Sequence, residues 1–450
     1  MKLYDVIGIG IGPFNLGLAA MMEPLNEVDA IFFEQKPNFA WHEGMLLDGT
    51  TLQVPFLADV VTMADPTSPY TFLNYLHQHQ RLYQFYFMES FLVPRQEYNH
   101  YGQWVASKLS NVQFSHKVQQ VEWIEEGGAS YYKVEVLDVQ AQQSVCYYAK
   151  HVVVGIGSTP GMPSMLKELQ SDNVFHSAQF LQQKERCKEA KSITVIGSGQ
   201  SAGEIFYALL NDQPTYDYEL NWFTRSRGFF PMEYSKLGLQ HFSPDYTSYF
   251  YQLPQATRDQ VLPTQDLLYK GMSAKTIADI YEKMYHMTIG GKTIPVNMTA
   301  LTALEHVEEN EGDRKHKYVM HMKQVEQDVS FQHESDVIIA ATGYEHRVPS
   351  FLSPLQSHIG WDTLGRYKVK EDYRLQLQKQ VNNHIFVQNG ELHTHGIGAP
   401  DLGLGAHRNA VIINTLMGKE VYPTQSNNVF QQFGVQQDQM KANAPSLVKV

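Results

Sequence analysis

A chain of 450 residues is too long for one hydrophobic core, so two or three domains are expected. Its composition, 43% hydrophobic and 18% charged, is ordinary for a globular protein. A formal net charge of -12 argues against nucleic acid and anionic membranes as partners and is compatible with a cationic substrate.

The two cysteines, Cys146 and Cys187, form neither a CxxC pair nor a metal-ligand cluster. This fits a reducing compartment and argues against a flavin disulfide reductase, which needs a close pair of redox thiols. Since no apolar run approaches about 18 residues, no transmembrane helix is expected. The strand-like run from Tyr4 to Ile7 leaves no room for a signal peptide. We therefore expect a cytoplasmic protein without a metal site.

The first predicted element is a strand followed by the glycine-rich turn Gly8-Ile-Gly10-Ile-Gly12-Pro13-Phe14-Asn15 and a helix. Glycines in such a turn let the backbone approach a pyrophosphate at the positive end of the helix. The next strand, Ala30 to Phe33, ends in Glu34, which is placed to accept hydrogen bonds from a ribose. Together these features predict a dinucleotide site, and the alternative is a glycine turn without a ligand.

A second strand, turn and helix occur near the middle of the chain, with Gly197, Gly199, Gln200 and Ser201 in the turn. The strand that follows, residues 219–223, ends not in an acid but in Thr224-Arg225-Ser226-Arg227. A guanidinium pairs with the 2′-phosphate of NADPH, which an acid would repel. The alternative for the two arginines is a solvated surface pair. The two sites together predict a resident FAD that NADPH reduces.

The remaining elements are less regular. The alternating stretch Val118 to Cys146 predicts a strand meander, and Met272 to Tyr285 predicts a helix. Phe230 to Pro263 is rich in Tyr, Phe and Pro without a clear period, which predicts loops that line a site. An apolar strand after Glu334 ends in Ala341-Thr342-Gly343-Tyr344.

These patterns predict an α/β fold with two Rossmann-like dinucleotide-binding domains, for FAD and NADPH, and a small, mainly helical substrate region. The FAD domain is expected to be discontinuous, at residues 1–165 and 335–423. The NADPH domain is expected at 166–334, with a substrate-lining segment at about 230–290. Residues 424–450, rich in Gln, Asn and Ser, are expected to form a flexible C-terminal tail.

Three further segments resemble the N-hydroxylating flavin-dependent monooxygenases, the lysine/ornithine N-monooxygenase-like family that makes hydroxamate siderophore precursors. They are Phe39 to Met45 with Leu52 to Asp59, Asp65 to Leu76, and His395 to Arg408. With the two turns and Ala341 to Tyr344, the resemblance extends to about Pro423, and Pro13 in the first turn is itself the family's pattern. It implies a homotetramer in which NADPH reduces FAD, O₂ forms a C4a-hydroperoxyflavin, and a neutral primary amine takes one oxygen atom.

The predicted cofactor residues come from these turns and segments. They are Gly8, Gly10, Gly12, Pro13, Phe14, Asn15, Glu34, Trp41, His42, Gln53, Gly197, Gly199, Gln200, Ser201, Arg225, Arg227, Thr342, Gly343, His395 and Gly396. By resemblance, Gln53 and His42 border the isoalloxazine, although a satisfied loop histidine is the alternative for His42. The chemistry does not require an acid–base pair, so no general base is assigned.

The resemblance also bears on the substrate. In members that act on ornithine or lysine, a lysine in the segment matching Gln53 to Val60 holds the substrate's α-carboxylate, and here that position is Ala58. A second carboxylate-binding position, an asparagine in ornithine enzymes, corresponds to Leu239. Loss of the cation removes a charge-assisted bond of roughly 2–4 kcal/mol. This predicts a diamine such as putrescine, cadaverine or 1,3-diaminopropane, unless another Lys or Arg compensates.

The second ammonium of a diamine needs an acid or a cage of carbonyls. Asp65, Glu233 and Asp401 lie in the relevant segments, with helix capping or loop hydrogen bonding as the alternative for each. The alternative enzymes are an L-lysine or L-ornithine N-hydroxylase and a Baeyer–Villiger or S-oxygenating monooxygenase. The FxGxxxHxxx(W/Y) signature of the latter is incomplete between Asp172 and Phe180. A non-catalytic nucleotide-binding module is the third alternative.

Overall fold

A computed structural model describes residues 2–310 and 315–435 of the chain. The strands are β1 Leu3–Ile9, β2 Ala30–Phe33, β3 Thr51–Pro55, β4 Leu92–Pro94, β5 Val112–Gln113, β6 His116–Glu126, β7 Ala129–Asp138, β8 Gln143–Val154, β9 Thr159–Pro160, β10 Val174–His176, β11 Ser192–Ile196, β12 Glu219–Phe223, β13 Val296–Thr299, β14 Thr302–Glu309, β15 Tyr318–Gln324, β16 Val329–Ser335, β17 Val337–Ala340, β18 Tyr344–Glu345 and β19 Ile385–Val387. The helices are α1 Pro13–Met22, α2 Phe72–Gln78, α3 Leu82–Met88, α4 Arg95–Lys108, α5 Ser164–Glu168, α6 Phe180–Glu189, α7 Gln200–Tyr216, α8 Pro244–Gln252, α9 Gln255–Val261, α10 Asp266–Tyr269, α11 Ala274–Met287, α12 Leu392–His395 and α13 Gly405–Met417.

The first unit is built on a sheet with the strand order β5-β2-β1-β8-β7-β6, in which β19 also pairs with β8. Strands β5, β2, β1, β8 and β19 run parallel, while β6, β7 and β8 form the antiparallel meander that the alternating sequence predicts. The parallel strands are apolar because both faces of the sheet are covered. Helices α1, α4 and α13 contribute to the core on one face, and residues 352–375 contribute to the core on the other.

The second unit contains an all-parallel sheet with the order β10-β17-β11-β12-β13, covered by helices α7 and α11. A separate antiparallel sheet, β14-β15-β16, packs beside it. Strand β17 lies between β10 and β11, and all four of its residues are buried. The border predicted at residue 335, between the NADPH domain and the second part of the FAD domain, is therefore too early. A fully apolar strand is stable at the centre of a parallel sheet, so the chain leaves the second unit only after β17.

Two Rossmann-like units are present, which confirms the predicted fold class. The substrate-lining region differs from the loops predicted for Phe230 to Pro263, since it contains α8 and α9. The side chain of Ser243 caps α8 by accepting a hydrogen bond from the Tyr246 N–H, and Pro244 occupies the first turn. Helix α8 is thus started by local capping, although the many aromatic residues of this segment show no clear helical period in the sequence.

Of the predicted C-terminal tail, residues 436–450 lie outside the described part of the chain. Residues 424–435 do not match the expected flexible tail, because they lie along α8. The backbone N–H groups of Asn427 and Asn428 both donate to the Asp245 carboxylate, at 2.7 and 3.0 Å. The Phe433 ring packs on Tyr246, with the ring centroids 4.9 Å apart. Among residues 2–310 and 315–435, no helix is long and apolar enough to span a membrane.

Candidate active site

The first glycine turn lies between β1 and α1. Gly10 has a φ of +84°, and a Cβ there would lie 2.7 Å from the Gly155 carbonyl oxygen, so both its backbone and its surroundings require glycine. A Cβ on Gly12 would meet nothing within 4 Å. Helix α1 has no side-chain cap, which leaves its first N–H groups free at the positive end of the helix. This open, donor-rich turn fits a pyrophosphate.

Glu34 and Asn15 hold the first turn in shape. The two carboxylate oxygens of Glu34 accept hydrogen bonds from the N–H groups of Ile11 at 2.9 Å and Lys36 at 3.0 Å. Asn15 is buried, donates to the Gly10 carbonyl at 2.8 Å and accepts from Gln388 at 2.8 Å. A carboxylate has further lone pairs, so Glu34 can still accept hydrogen bonds from a ribose. The Asn15 side chain is satisfied by protein groups.

The second glycine turn lies between β11 and α7. A Cβ on Gly197 would lie 2.1 Å from the Ala341 carbonyl oxygen, whereas a Cβ on Gly199 would make only an ordinary contact, 3.7 Å from the Lys270 carbonyl oxygen. Helix α7 likewise begins without a side-chain cap. Gln200 is occupied by the protein, since it accepts a hydrogen bond from Ser273 N–H and donates to Glu204. The backbone of the turn, rather than the Gln200 side chain, is therefore available to a phosphate.

A cavity of about 1660 Å³ opens between the two units. The predicted residues on its wall are Gln53, Ala58, Gly197, Gly199, Gln200, Ser201, Arg225, Leu239, Thr342, Gly343 and Asp401. The wall also includes Tyr234, Lys236, Tyr344 and His407, which sequence reasoning did not single out. Tyr234 and Lys236 come from the loop before α8, Tyr344 from β18 and His407 from α13, and the meeting of these elements has no signature in the sequence.

The two predicted arginines are placed differently. Arg225 lies on the cavity wall next to the second glycine turn, whereas Arg227 does not line the cavity, and both side chains are exposed. The hydroxyl groups of Ser198 and Ser226 lie 2.8 Å apart and connect the glycine turn to the end of β12. Arg225 is therefore the better placed of the two to meet a 2′-phosphate.

Trp41 and His42 lie in the connection between β2 and β3. His42 has a left-handed backbone, and its ring lies 4.5 Å from the ring of Trp41 and 5.8 Å from that of Tyr344. Desolvation by the surrounding protein, with a smaller contribution from Arg95, lowers the pKa of His42 to about 4, although the residue as a whole is exposed. It is therefore neutral at pH 7. No protein hydrogen bond to the ring is found among the described residues.

The segments Thr342-Gly343 and His395-Gly396 have mainly structural contacts. Thr342 donates to the Gly161 carbonyl at 2.7 Å. His395 is buried and stacked on Tyr373 at 4.5 Å, and its ring nitrogens lie within hydrogen-bond distance of Thr394 Oγ1 and the Glu371 carbonyl. Burial lowers its pKa to about 3. Its side chain is thus satisfied by protein groups, and its predicted contact with the cofactor stays a prediction.

Ala58 and Asp401 lie close together at the end of the cavity beside the first unit. A Cβ on Gly403 would lie 3.9 Å from the Ala58 Cβ and 2.8 Å from Asp401 Oδ1. Asp401 Oδ1 accepts a hydrogen bond from the Gly403 N–H at 2.8 Å. Burial raises the pKa of Asp401 to about 6, against smaller lowering effects from backbone N–H groups and Arg408.

The other two acids predicted at the substrate do not line this cavity. Asp65 accepts hydrogen bonds from the N–H and hydroxyl of Thr67, at 3.0 and 2.7 Å. Glu233 accepts one from the Ser235 N–H at 2.8 Å. Both therefore act as loop hydrogen-bonders, the alternative that the sequence left open.

The chain is similar to known amine N-hydroxylases along most of its length. The sequence model of the L-lysine 6-monooxygenase/L-ornithine 5-monooxygenase family matches residues 2–346. A putrescine N-hydroxylase of Shewanella oneidensis is 43% identical over 96% of this chain and 84% of its own length. The FAD-bound cadaverine monooxygenase of the desferrioxamine pathway of Erwinia amylovora has a TM-score of 0.92 and is 39% identical, covering 97% of this chain and 99% of its own. An ornithine N-hydroxylase of Kutzneria, solved with reduced FAD, NADP⁺ and L-ornithine, has a TM-score of 0.85 and is 27% identical, covering 93% and 99%.

Proposed function

The chain belongs to the L-lysine 6-monooxygenase/L-ornithine 5-monooxygenase family, and from this premise we propose that it hydroxylates the terminal primary amine of an aliphatic diamine for hydroxamate siderophore biosynthesis. It is a flavin-dependent N-monooxygenase that uses FAD, NADPH and O₂. The similarity to amine N-hydroxylases disfavours the Baeyer–Villiger and non-catalytic alternatives. Putrescine and cadaverine are the substrates in the names of the related enzymes and are the diamines to test first.

Both cofactors fit the residues present. The open turn at Gly12 and the uncapped start of α1 would hold the FAD pyrophosphate, with Glu34 at its ribose. Gly199 and Arg225 would hold the phosphates of NADPH. When bound, the flavin supplies the activation of O₂ with electrons taken from NADPH.

The protein's own part in the reaction is to bind, orient and desolvate the amine. An amine is nucleophilic only when it is unprotonated, and removal from water favours the neutral form. Ala58, Leu239 and Phe242 supply apolar surface to the cavity wall, and Tyr234 closes over Gln53 by donating a hydrogen bond to its carbonyl oxygen at 2.8 Å. These groups support a dry pocket in which one amino group reaches the flavin edge.

The observation that carries the diamine assignment is Ala58, which lies on the cavity wall and is 5% exposed. By the family resemblance, this position corresponds to a lysine that holds the substrate's carboxylate in members that act on ornithine or lysine. Three cations line the cavity: Arg225, Lys236 and Lys270. Lys270 is paired with Asp266 at 2.7 Å, and Arg225 lies at the NADPH turn. Lys236 is exposed and makes no ion pair within the described residues, so it is the residue that favours the alternative, an L-lysine or L-ornithine N-hydroxylase.

The test is a hydroxylated-product assay with 1,3-diaminopropane, putrescine, cadaverine, ornithine and lysine, with NADPH oxidation and peroxide measured in parallel. We expect coupled hydroxylation with a diamine, and NADPH oxidation with mainly peroxide release with the amino acids. Coupled hydroxylation of ornithine or lysine, abolished by Lys236→Ala, would establish the alternative.

We also propose a cytoplasmic homotetramer, as the resemblance implies. Helix α3 supports self-association, because none of its residues is buried and Tyr83, Tyr86 and Phe87 are all more than two-thirds exposed. Light scattering of the FAD-loaded protein tests the assembly, and a monomer at all concentrations would contradict it.

A further inference from the structure

Three acids line the cavity: Asp266, Glu345 and Asp401. Asp266 pairs with Lys270 at 2.7 Å, and Glu345 pairs with Arg347 at 2.9 Å. Asp401 makes no ion pair within residues 2–310 and 315–435. The nearby Arg408 is committed elsewhere, since its Nε lies 3.2 Å from the fully buried Glu391 carboxylate. Asp401 is therefore the acid of this wall whose charge is not balanced by a paired cation.

The place of Asp401 in the cavity is defined by its neighbours. Through Gly403 it adjoins Ala58, the position that, by the family resemblance, corresponds to a carboxylate-binding lysine in members that act on ornithine or lysine. Tyr234, whose hydroxyl reaches the Gln53 carbonyl at 2.8 Å, has its pKa raised by burial and, to a lesser degree, by the charge of Asp401. Asp401 thus lies on the cavity wall near Ala58 and Tyr234. At the Ala58 position a positive side chain is absent, and the negative Asp401 lies beside it.

We propose that Asp401 is the counter-ion for the ammonium group at the far end of the diamine, the end that is not hydroxylated. This inference rests on the proposed diamine function. Asp401 is half-buried, and a partly desolvated carboxylate without a paired cation is costly. An ammonium that forms a charge-assisted hydrogen bond offsets that cost. Asp401 thereby selects for a substrate with a second positive charge and against one with a carboxylate, which it repels.

The competing role for Asp401 is capping of the short turn Leu402–Leu404 through the Gly403 N–H. Asp401→Asn separates the two roles, because asparagine keeps an oxygen that can accept this hydrogen bond and loses the charge. The substrates are cadaverine and pentylamine, which have the same carbon chain but two and one amino groups. We expect kcat/KM for cadaverine to fall about 10–100-fold in the variant, with kcat/KM for pentylamine changed less than about threefold.

Asp65→Asn is the matched control, since the Asp65 side chain bonds to Thr67 and does not line the cavity, and it should leave the preference for cadaverine unchanged. FAD content and the melting temperature of Asp401→Asn should equal or exceed those of the wild type at pH 8. Equal losses with both amines, or a lower FAD content and melting temperature, would assign Asp401 to capping and overturn the inference.

Failure of the inference and failure of the proposed function give different results. If the wild type hydroxylates diamines and Asp401→Asn keeps the full preference for cadaverine over pentylamine, the inference alone is overturned. If the wild type hydroxylates only ornithine or lysine, the proposed function fails, and the inference fails with it.

Discussion

Arg225 and Arg227 stand two residues apart, but only Arg225 lies on the cavity wall. We expect Arg225→Ala to raise KM for NADPH about 10–100-fold, because a charge-assisted contact to a 2′-phosphate is lost, and to leave KM for NADH nearly unchanged. Arg227→Ala is the matched control and should change either value less than about threefold. Anaerobic flavin reduction with each nucleotide measures the effect. A larger loss in Arg227→Ala would reverse the assignment.

Replacement of Ala58 tests whether charge at this position of the cavity wall controls substrate preference. Ala58→Lys should lower kcat/KM for diamines at least about tenfold, because the new ammonium repels the substrate and pairs with Asp401. Ala58→Met has a similar length without the charge and reports the effect of size alone. Equal losses in the two variants would show that volume and not charge controls the site.

The pH dependence of substrate preference follows from Asp401. Since burial raises its pKa to about 6, the side chain is charged above that value and neutral below it. The preference of the free enzyme for cadaverine over pentylamine, measured as kcat/KM, should therefore decline as the pH falls from 7.5 to 5. His407 on the same wall has its pKa lowered to about 4, and the pKa of Tyr234 is raised, so neither titrates in this range. A preference that is flat in the wild type, or that declines equally in Asp401→Asn, would contradict the prediction.

Among the secondary-structure elements, α8 and the segment 424–435 form a connected wall. Pro423, Gln425, Asn428 and Val429 line the cavity, and Asp245 on α8 holds the segment through two backbone N–H groups. A chain ending after Pro423 should bind FAD but release more peroxide per NADPH, because water enters the pocket. A chain ending after Val435 keeps these contacts and is the control. Equal coupling efficiency in both truncated chains would argue against a role for the segment.

At the scale of the whole molecule, a buried ion pair joins the two units. Arg95 at the start of α4 and Glu204 on α7 make two contacts of 2.7 Å, and Glu204 also binds Gln200 of the second glycine turn. The pair is almost fully buried, with the side chains 11% and 4% exposed. It therefore couples the position of the NADPH turn to the first unit.

Glu204→Gln leaves the Arg95 charge buried without a negatively charged partner, which we expect to destabilise the protein by about 3–5 kcal/mol. The double variant Arg95→Met/Glu204→Met should be destabilised less than Arg95→Met alone or Glu204→Met alone, because no charge is then left unpaired. Urea unfolding of the FAD-loaded protein, followed by flavin and tryptophan fluorescence, measures both units. Additive losses in the double variant would show that the two side chains act independently.

The sequence by itself determined the two dinucleotide-binding units, because each needs a local pattern of strand, glycine turn and helix that can be read within about 30 residues. The residues at Gly10, Gly197 and Glu34 follow from the same local rule. Such patterns do not report which side chains are satisfied by the protein, and so Gln200, Asn15 and His395 were expected at cofactors but bond to protein groups.

Only the tertiary structure decided the composition of the substrate pocket. Ala58, Tyr234 and Asp401 are far apart in the chain and meet because the two units and the 230–270 region close around one cavity. The three predicted acids look equivalent in the sequence, but the fold gives Asp401 a different environment from Asp65 and Glu233. Desolvation of a side chain and the lack of a paired cation both depend on long-range packing. Strand β17 was predicted in the FAD domain, and residues 424–435 were predicted to form a flexible tail. Both differ in the structure because the pairing of β17 with β11 and the contact of Asn427 with Asp245 depend on residues far away in the chain.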